Sequence, residues 1–568
     1  MHYHPYTNKL PVLFILLLLT GTASAQDIES INFKKPVKFS GTLNLQLEQY
    51  SASGIENRKQ ASSWMISGTP TITVLGIQVP FSFLFSNFEN RYYQPFNQYG
   101  ISPRYKWITV HAGYRNIQFS PYTLAGYRML GGGIELNPKG LRLGFMYGRL
   151  NRSASLDSAQ MANPLAFRPV AAYTRMAYAA KVGVGTDKNY IDFSYLKGWD
   201  KEGSVDSKFR DSLPPAENHV LGLSWKLTFF KHFTWQTDVG LSHYTNDIHS
   251  EKIVLDSSDP KILRQLTDFF DSRISSQVLT AGETKLAYMG KVFGLGVSYK
   301  RIDPDYKSMG AYFFQSDIQQ YSVFPSLRLN KGKLLINGSL GWQEDNLYQQ
   351  KLATSKRFTG NGNINYIPVQ WFGININYSN FGITQNPLRT SPTDELFKQV
   401  SQSIVIVPYL NFVNERAVKS LQMVTSIQSL NSPVQSINAV ADQNTLYTTL
   451  IYSHSLLKKN ISFNASANYN NTSLTTGDIG SVGGGVGATL PFFKQKLALT
   501  TNATYNNNKF NGASNGYTLN ADVGISFRLI KRNTVQLLFN YLKNEAKDQT
   551  VIQSFDEKTF RVGYGITF

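Results

Sequence analysis

Six histidines lie beyond the N-terminal segment: His111, His219, His232, His243, His249 and His454. None stands at a metal-ligand spacing such as His-x-x-x-His. Cysteine is absent, which removes thiolate metal sites, disulfides and cysteine nucleophiles together. No Gly-x-Ser-x-Gly elbow is present to seat a serine nucleophile. The run from Gly480 to Ala488 is rich in glycine. It lacks the Gly-Lys-Ser/Thr ending of a phosphate loop and reads as a strand with a glycine inner face. These residue types predict no enzyme, no metal site and no cofactor.

The chemistry left is electrostatic. Ten basic residues fall at one parity of alternating segments: Arg142, Arg175, Lys181, Lys226, Lys285, Lys300, Arg328, Arg357, Arg528 and Arg561. Six acids share it: Glu48, Glu135, Asp192, Asp238, Glu283 and Asp522. The opposite parity is apolar, so the sixteen are expected to face a water-filled interior, with a mild positive excess. On a lipid face each basic residue would cost about 2–4 kcal/mol at the bilayer midplane, and each acid less.

The elements that must hold them are strands. In Phe560-Arg561-Val562-Gly563-Tyr564-Gly565-Ile566-Thr567-Phe568 every even position is large and apolar, and every odd one is small or polar. The same period of two runs through Tyr517–Phe527, Ile461–Tyr469, Phe372–Tyr378 and Leu221–Leu227. Aromatic residues close many segments, among them Trp225, Phe229, Trp342, Tyr378, Tyr469, Tyr505, Phe527, Tyr541 and Phe568. Rings of this kind settle at a membrane interface. Short connections, such as Ala112-Gly113, Asn137–Gly140, Lys231-His232 and Lys494–Lys496, alternate with longer polar stretches such as 151–170, 199–215, 244–278, 303–318 and 381–397. This rhythm predicts an all-β chain: one closed antiparallel transmembrane barrel of about 26 strands (24–26) over 38–568. A large weight of aromatics, Tyr 32 and Phe 36, argues against disorder.

The net charge is +19. Much of it falls in the short turns, at Lys139, Lys188, Lys231, Lys291, Lys331, Lys333, Arg416, Lys458, Lys459, Lys494, Lys496, Lys531 and Arg532. A ring of scattered turns is no groove and has no stacking platform, so nucleic acid is not an expected partner. Residues 1–25 read as a signal peptide: Lys9, the apolar run Leu10–Leu19 and the small pair around Ser24 in Ala23-Ser24-Ala25. A short periplasmic segment, 26–37, would precede the barrel.

With its signal peptide, amphipathic strands and terminal phenylalanine, the chain resembles a bacterial outer-membrane β-barrel protein. Phe560, Val562, Tyr564, Ile566 and Phe568 resemble the C-terminal signal read by the barrel-assembly machinery. The resemblance implies a Gram-negative outer-membrane location, short periplasmic turns and long extracellular loops. Among large barrels are TonB-dependent receptors, but the first strand starts near Phe39, leaving no room for their plug, and no energy-coupling box is seen.

Outer-membrane lipid is thus an expected partner, and the long loops offer a surface to a partner protein. Residues 260–276 carry Ile262, Leu263, Leu266, Phe269, Phe270 and Ile274 at helical spacing. A helix there is expected to fold into the lumen as its principal obstruction or to cap the mouth. The leading expectation is a porin-like passive channel for polar or weakly anionic solutes. The alternative is a docking or scaffold barrel of a surface export or assembly complex; a barrel-embedded hydrolase ranks last.

Overall fold

The computed structural model describes residues 37–74, 77–87, 98–154, 172–205, 213–256, 259–311, 315–387, 397–431, 442–530, 532–548 and 553–568. The expected signal peptide, most of the segment after it and residues 88–97 and 312–314 lie outside the described residues.

Every wall strand pairs antiparallel with its chain neighbour. The last strand, Phe555–Thr567, returns to pair with Thr42–Ser53, from Thr42 opposite Thr567 to Ser53 opposite Asp556. The sheet is therefore a closed barrel without an edge. Twenty-nine hydrogen-bonded stretches make 26 wall strands, because three strands are each interrupted once. The breaks fall at Gly41, at Thr69-Pro70 and at Ser102-Pro103. Proline has no N–H to give the ladder. Gly41 has φ +122°, and a Cβ there would stand 2.3 Å from the Thr69 carbonyl oxygen.

Strands such as Thr174–Gly185 and Tyr190–Lys201 have 12 residues. At about 3.3 Å per residue and a tilt near 40°, each spans roughly 30 Å, the thickness of a bilayer core. Twenty-six tilted strands give a perimeter of roughly 160 Å, too wide for wall side chains alone to fill.

Both described termini and the tight turns gather at one end. Phe568 N–H donates to Gly41 O there (2.9 Å). The expected turn at Ala112-Gly113 is instead mid-strand, within Ile108–Arg115, and the chain reverses between Tyr105 and Ile108. Small residues there mimic a turn signal, but Gly113 serves close approach to Tyr99 and Gly100. The other end carries the longer loops, although not all are long. Leu474 to Gly477 and Phe510 to Ala513 are tight reversals. The strand Tyr190–Lys201 also runs into the stretch expected to be loop from 199.

Register fixes the two faces. Leu47, Phe145, Val182, Phe193, Leu221 and Val297 point out and are exposed. Aromatic residues ring this apolar surface at both ends. Phe229 stacks on Phe233 and Trp371 on Phe412 at the terminal end, and Tyr178 packs on Trp199 toward the loop end. This is the layout of a wall solvated by lipid.

Candidate functional site: the inner wall and two segments folded against it

The inner parity of the strands collects the charged residues into a few contacts. Arg142 Nε donates to Asp192 Oδ1 at 2.9 Å, and its Nη1 reaches Asp187 at 2.9 Å. Arg561 Nε donates to Glu48 at 3.0 Å, across the seam between last and first strands. Glu283 stands directly opposite Lys300 on one side and Asp238 on the other. Asp238 accepts from Ser224 Oγ at 2.6 Å, and Asp522 accepts from Asn540 at 2.6 Å. Glu135 meets His111 Nε2 at 3.1 Å. Two lysines lie over rings: Lys285 Nζ is 4.4 Å from the Phe324 centroid, and Lys181 Nζ is 5.3 Å from that of Phe119. Lys226, Arg328, Arg357 and Arg528 lie opposite Gln236, Leu335, Gln343 and Thr534, and are not brought together.

Arg175 has a partner that sequence parity did not single out. Its Nε donates to Asp200 Oδ1 at 2.8 Å and its Nη2 to Oδ2 at 3.1 Å. Asp200 was hidden because its stretch reads as loop. Glu557, bonded by Tyr50 Oη at 2.6 Å, is a second such acid. The positive excess of the inner wall is smaller than the sixteen residues suggest.

Two segments between wall strands turn inward and pack on part of this wall. Residues 116–128 bring Ile117, Phe119, Tyr122 and Leu124 into the interior, and residues 303–311 bring Tyr306 and Met309; all six are buried. The two are tied to each other. Ala125 N–H donates to Gly310 O (3.0 Å), Tyr306 Oη to Tyr122 O (2.9 Å) and Ser308 Oγ to Thr123 O (2.7 Å). They are also tied to the wall. Met309 N–H donates to Asn218 Oδ1 (2.9 Å), and Ser242 Oγ to Lys307 O (2.6 Å). Their apolar neighbours are Met146, Leu196 and Val220 of the inner face. Each fully buried side chain of this size contributes about 1.5–3 kcal/mol.

The wall makes room for them by omission. A Cβ on Gly144 would stand 2.7 Å from Phe119, one on Gly198 2.9 Å from Met309, and one on Gly222 2.5 Å from Thr123 Cγ2. Glycines on three wall strands thus form a recess that the two segments fill. No local signal marks it, because the glycines are far apart in sequence.

From Leu334 to Glu545 the inner face differs. It carries Asn337, Asn361, Asn363 and Asn377, then Asn464, Asn468, Asn502, Asn506 and Asn540, mixed with serine and threonine. Asn363 donates to Asn377 at 2.6 Å and Asn361 to Ser339 at 3.4 Å. The inner parity of the run around Gly483, Gly485 and Gly487 is glycine, as expected. A Cβ on Gly487 would meet Asn464 Oδ1 at 2.1 Å.

The helix is real but misplaced by sequence reasoning. It spans Lys261–Phe270 and lies outside the wall. Phe270 is buried against His219 and His243, whose register puts them on the outer face with Leu221 and Val239. The segments that turn into the interior are instead 116–128 and 303–311. Helical spacing shows that an apolar face needs a partner, not which side of the wall supplies it.

A closed antiparallel wall with a polar interior, an apolar outer belt and aromatic girdles defines a large outer-membrane β-barrel. No protein-family description and no curated protein matches the chain. Among solved structures it is similar to the P pilus usher (PapC) translocation pore, at 12% identity and TM-score 0.33, over 93% of this chain and 99% of that one. It is also similar to opdK of Pseudomonas aeruginosa (12%, TM-score 0.27, 69% and 99%) and OccAB2 of Acinetobacter baumannii (9%, TM-score 0.27, 62% and 92%). The chain's own register and apolar belt, rather than these superpositions, define the class.

Proposed function

We propose that the protein is a passive outer-membrane channel for polar solutes, and we assign it no catalytic role. One observation carries this reading. Buried apolar packing inside the barrel is concentrated on the strands between Met129 and Ile318, whereas the inner face from Leu334 to Glu545 presents amides and hydroxyls. The inward segments would narrow the lumen from one side and leave a hydrated path along the other. The loop end would face outward and the termini the periplasm, after export on the N-terminal signal and insertion through the terminal strand. Five basic residues that face no acid across the ladder, Lys226, Lys285, Arg328, Arg357 and Arg528, support a modest preference for anions, weakened by salt. Discrete conductance steps in planar bilayers, with a reversal potential displaced toward the anion value, are expected. A folded barrel that never conducts would overturn the channel reading, and a cation-selective one the charge assignment.

A further inference from the structure

Among its described side chains, the helix Lys261–Phe270 buries Phe270 on the wall and leaves Leu266 and Phe269 largely exposed. Phe270, 5% exposed, stacks on His243 with centroids 4.9 Å apart and planes at 11°, and meets His219 edge-on at 5.5 Å. Ser272, just past the helix, bonds His243 Nε2 through Oγ at 2.9 Å. His219 is held in turn by Tyr195 Oη (2.8 Å) and Glu217 (2.7 Å). The helix ends at Asp271 in the left-handed conformation, where Asp271 meets Lys252 at 2.6 Å and Arg273 at 3.2 Å. The element is therefore fixed to the outer wall at its C-terminal end.

The exposed apolar surface consists of Leu266 and Phe269 of the helix, with Phe269 touching the Tyr195 and His219 rings at its edge, and of Ile274 just after it, at 45%, 60% and 68% exposure. It does not stand alone. Val278, on the adjoining strand and opposite His243, is 62% exposed. Two residues along the outer face from His219 lies Leu221, and four from His243 lies Val239, both 40% exposed and part of the lipid-facing belt. Gln265 and Asp268 of the same helix are exposed polar residues. An amphipathic helix lying on a membrane interface has this division, with its apolar side in the acyl boundary and its polar side among headgroups.

We propose that Lys261–Phe270, with Ile274, is a membrane-interface helix that lies in the outer leaflet beside the barrel and tethers the 246–275 loop away from the lumen. Continuity with the lipid-facing belt selects lipid as the occupant. The proposal rests on the transmembrane reading of the wall.

The absence of cysteine makes the test clean. Single Phe269→Cys and Ile274→Cys variants of the full chain would carry a nitroxide label in phospholipid vesicles. Val182→Cys, on the mid-wall belt, and Gln265→Cys, on the polar side, serve as references. Labels at 269 and 274 should collide with oxygen more than with a water-soluble nickel chelate, giving a positive log ratio between those of the two references. Values equal to that of Gln265 would overturn the proposal, because the face would lie in water. Inaccessibility to both reagents would overturn it in favour of a protein partner or a second copy. If Val182 itself reads as aqueous, the transmembrane assignment fails and this proposal with it. Heat-modifiable gel migration checks that each variant is folded.

Discussion

Gly240 lies directly under Tyr122: a Cβ on Gly240 would stand 2.6 Å from the Tyr122 Cβ and 2.5 Å from the Tyr306 hydroxyl. The wall and the two inward segments are therefore complementary at the level of single atoms.

Gly240→Val or Gly222→Val should push the inward segments off the wall. Overpacking of this kind costs about 1–3 kcal/mol, borne by the segments because the strand ladder is intact. Single-channel conductance should rise while heat-modifiable migration stays normal. Unchanged conductance would place the segments away from the conducting path.

Shortening the 246–275 loop to remove the helix should leave conductance unchanged, since Phe270 packs on outward-facing His219 and His243. A rise in conductance would put the helix in the lumen after all.

Asp192→Asn should make the interior more basic. Arg142 keeps the exposed Asp187 but loses the charge of its buried partner. Loss of a charged hydrogen bond costs roughly 1–3 kcal/mol. The reversal potential should move further toward anions, with a lower unfolding temperature. A shift toward cations would contradict the inner placement of the pair.

Asp317, at the loop end, caps the 346–352 loop. Burial raises its carboxyl pKa, but the Lys351 ammonium and the backbone N–H groups of Leu347 (2.8 Å) and Asn346 (3.0 Å) outweigh burial and hold it below the usual value. A depressed carboxylate stabilises the fold above its unfolded pKa, and the gain is lost as pH falls through the folded value. The loop should therefore loosen only below roughly pH 4. Anisotropy of a fluorophore on Gln350→Cys should fall there, and Lys351→Met should raise the pH at which it falls. A pH-independent signal would show that the clasp does not hold the loop.

Phe568→Asp should lower the amount of assembled barrel in the outer membrane. Its backbone closes on Gly41 beside the seam held by Glu48 and Arg561, and its ring ends the apolar ladder that includes Phe560. Normal surface levels would argue against recognition of that residue.

The sequence by itself determined the wall. Alternation is local: in Phe560–Phe568 each residue's side of the sheet follows from its neighbours, because successive side chains of a strand point to opposite faces. The tight turns were equally legible at Asn137–Gly140 and Lys231-His232. Asp200 escaped because a strand's end is set by what its neighbour pairs with, here Thr174–Gly185. Only the tertiary structure decided which side of the wall each loop occupies. Residues 303–311 go inward because Gly198, Gly222 and Gly240, on three different strands, leave space for them and their partners. The helix goes outward because His219 and His243 meet at the same height on the outer face. Both outcomes depend on residues brought together by register across the barrel, and periodicity within one segment carries no information about that.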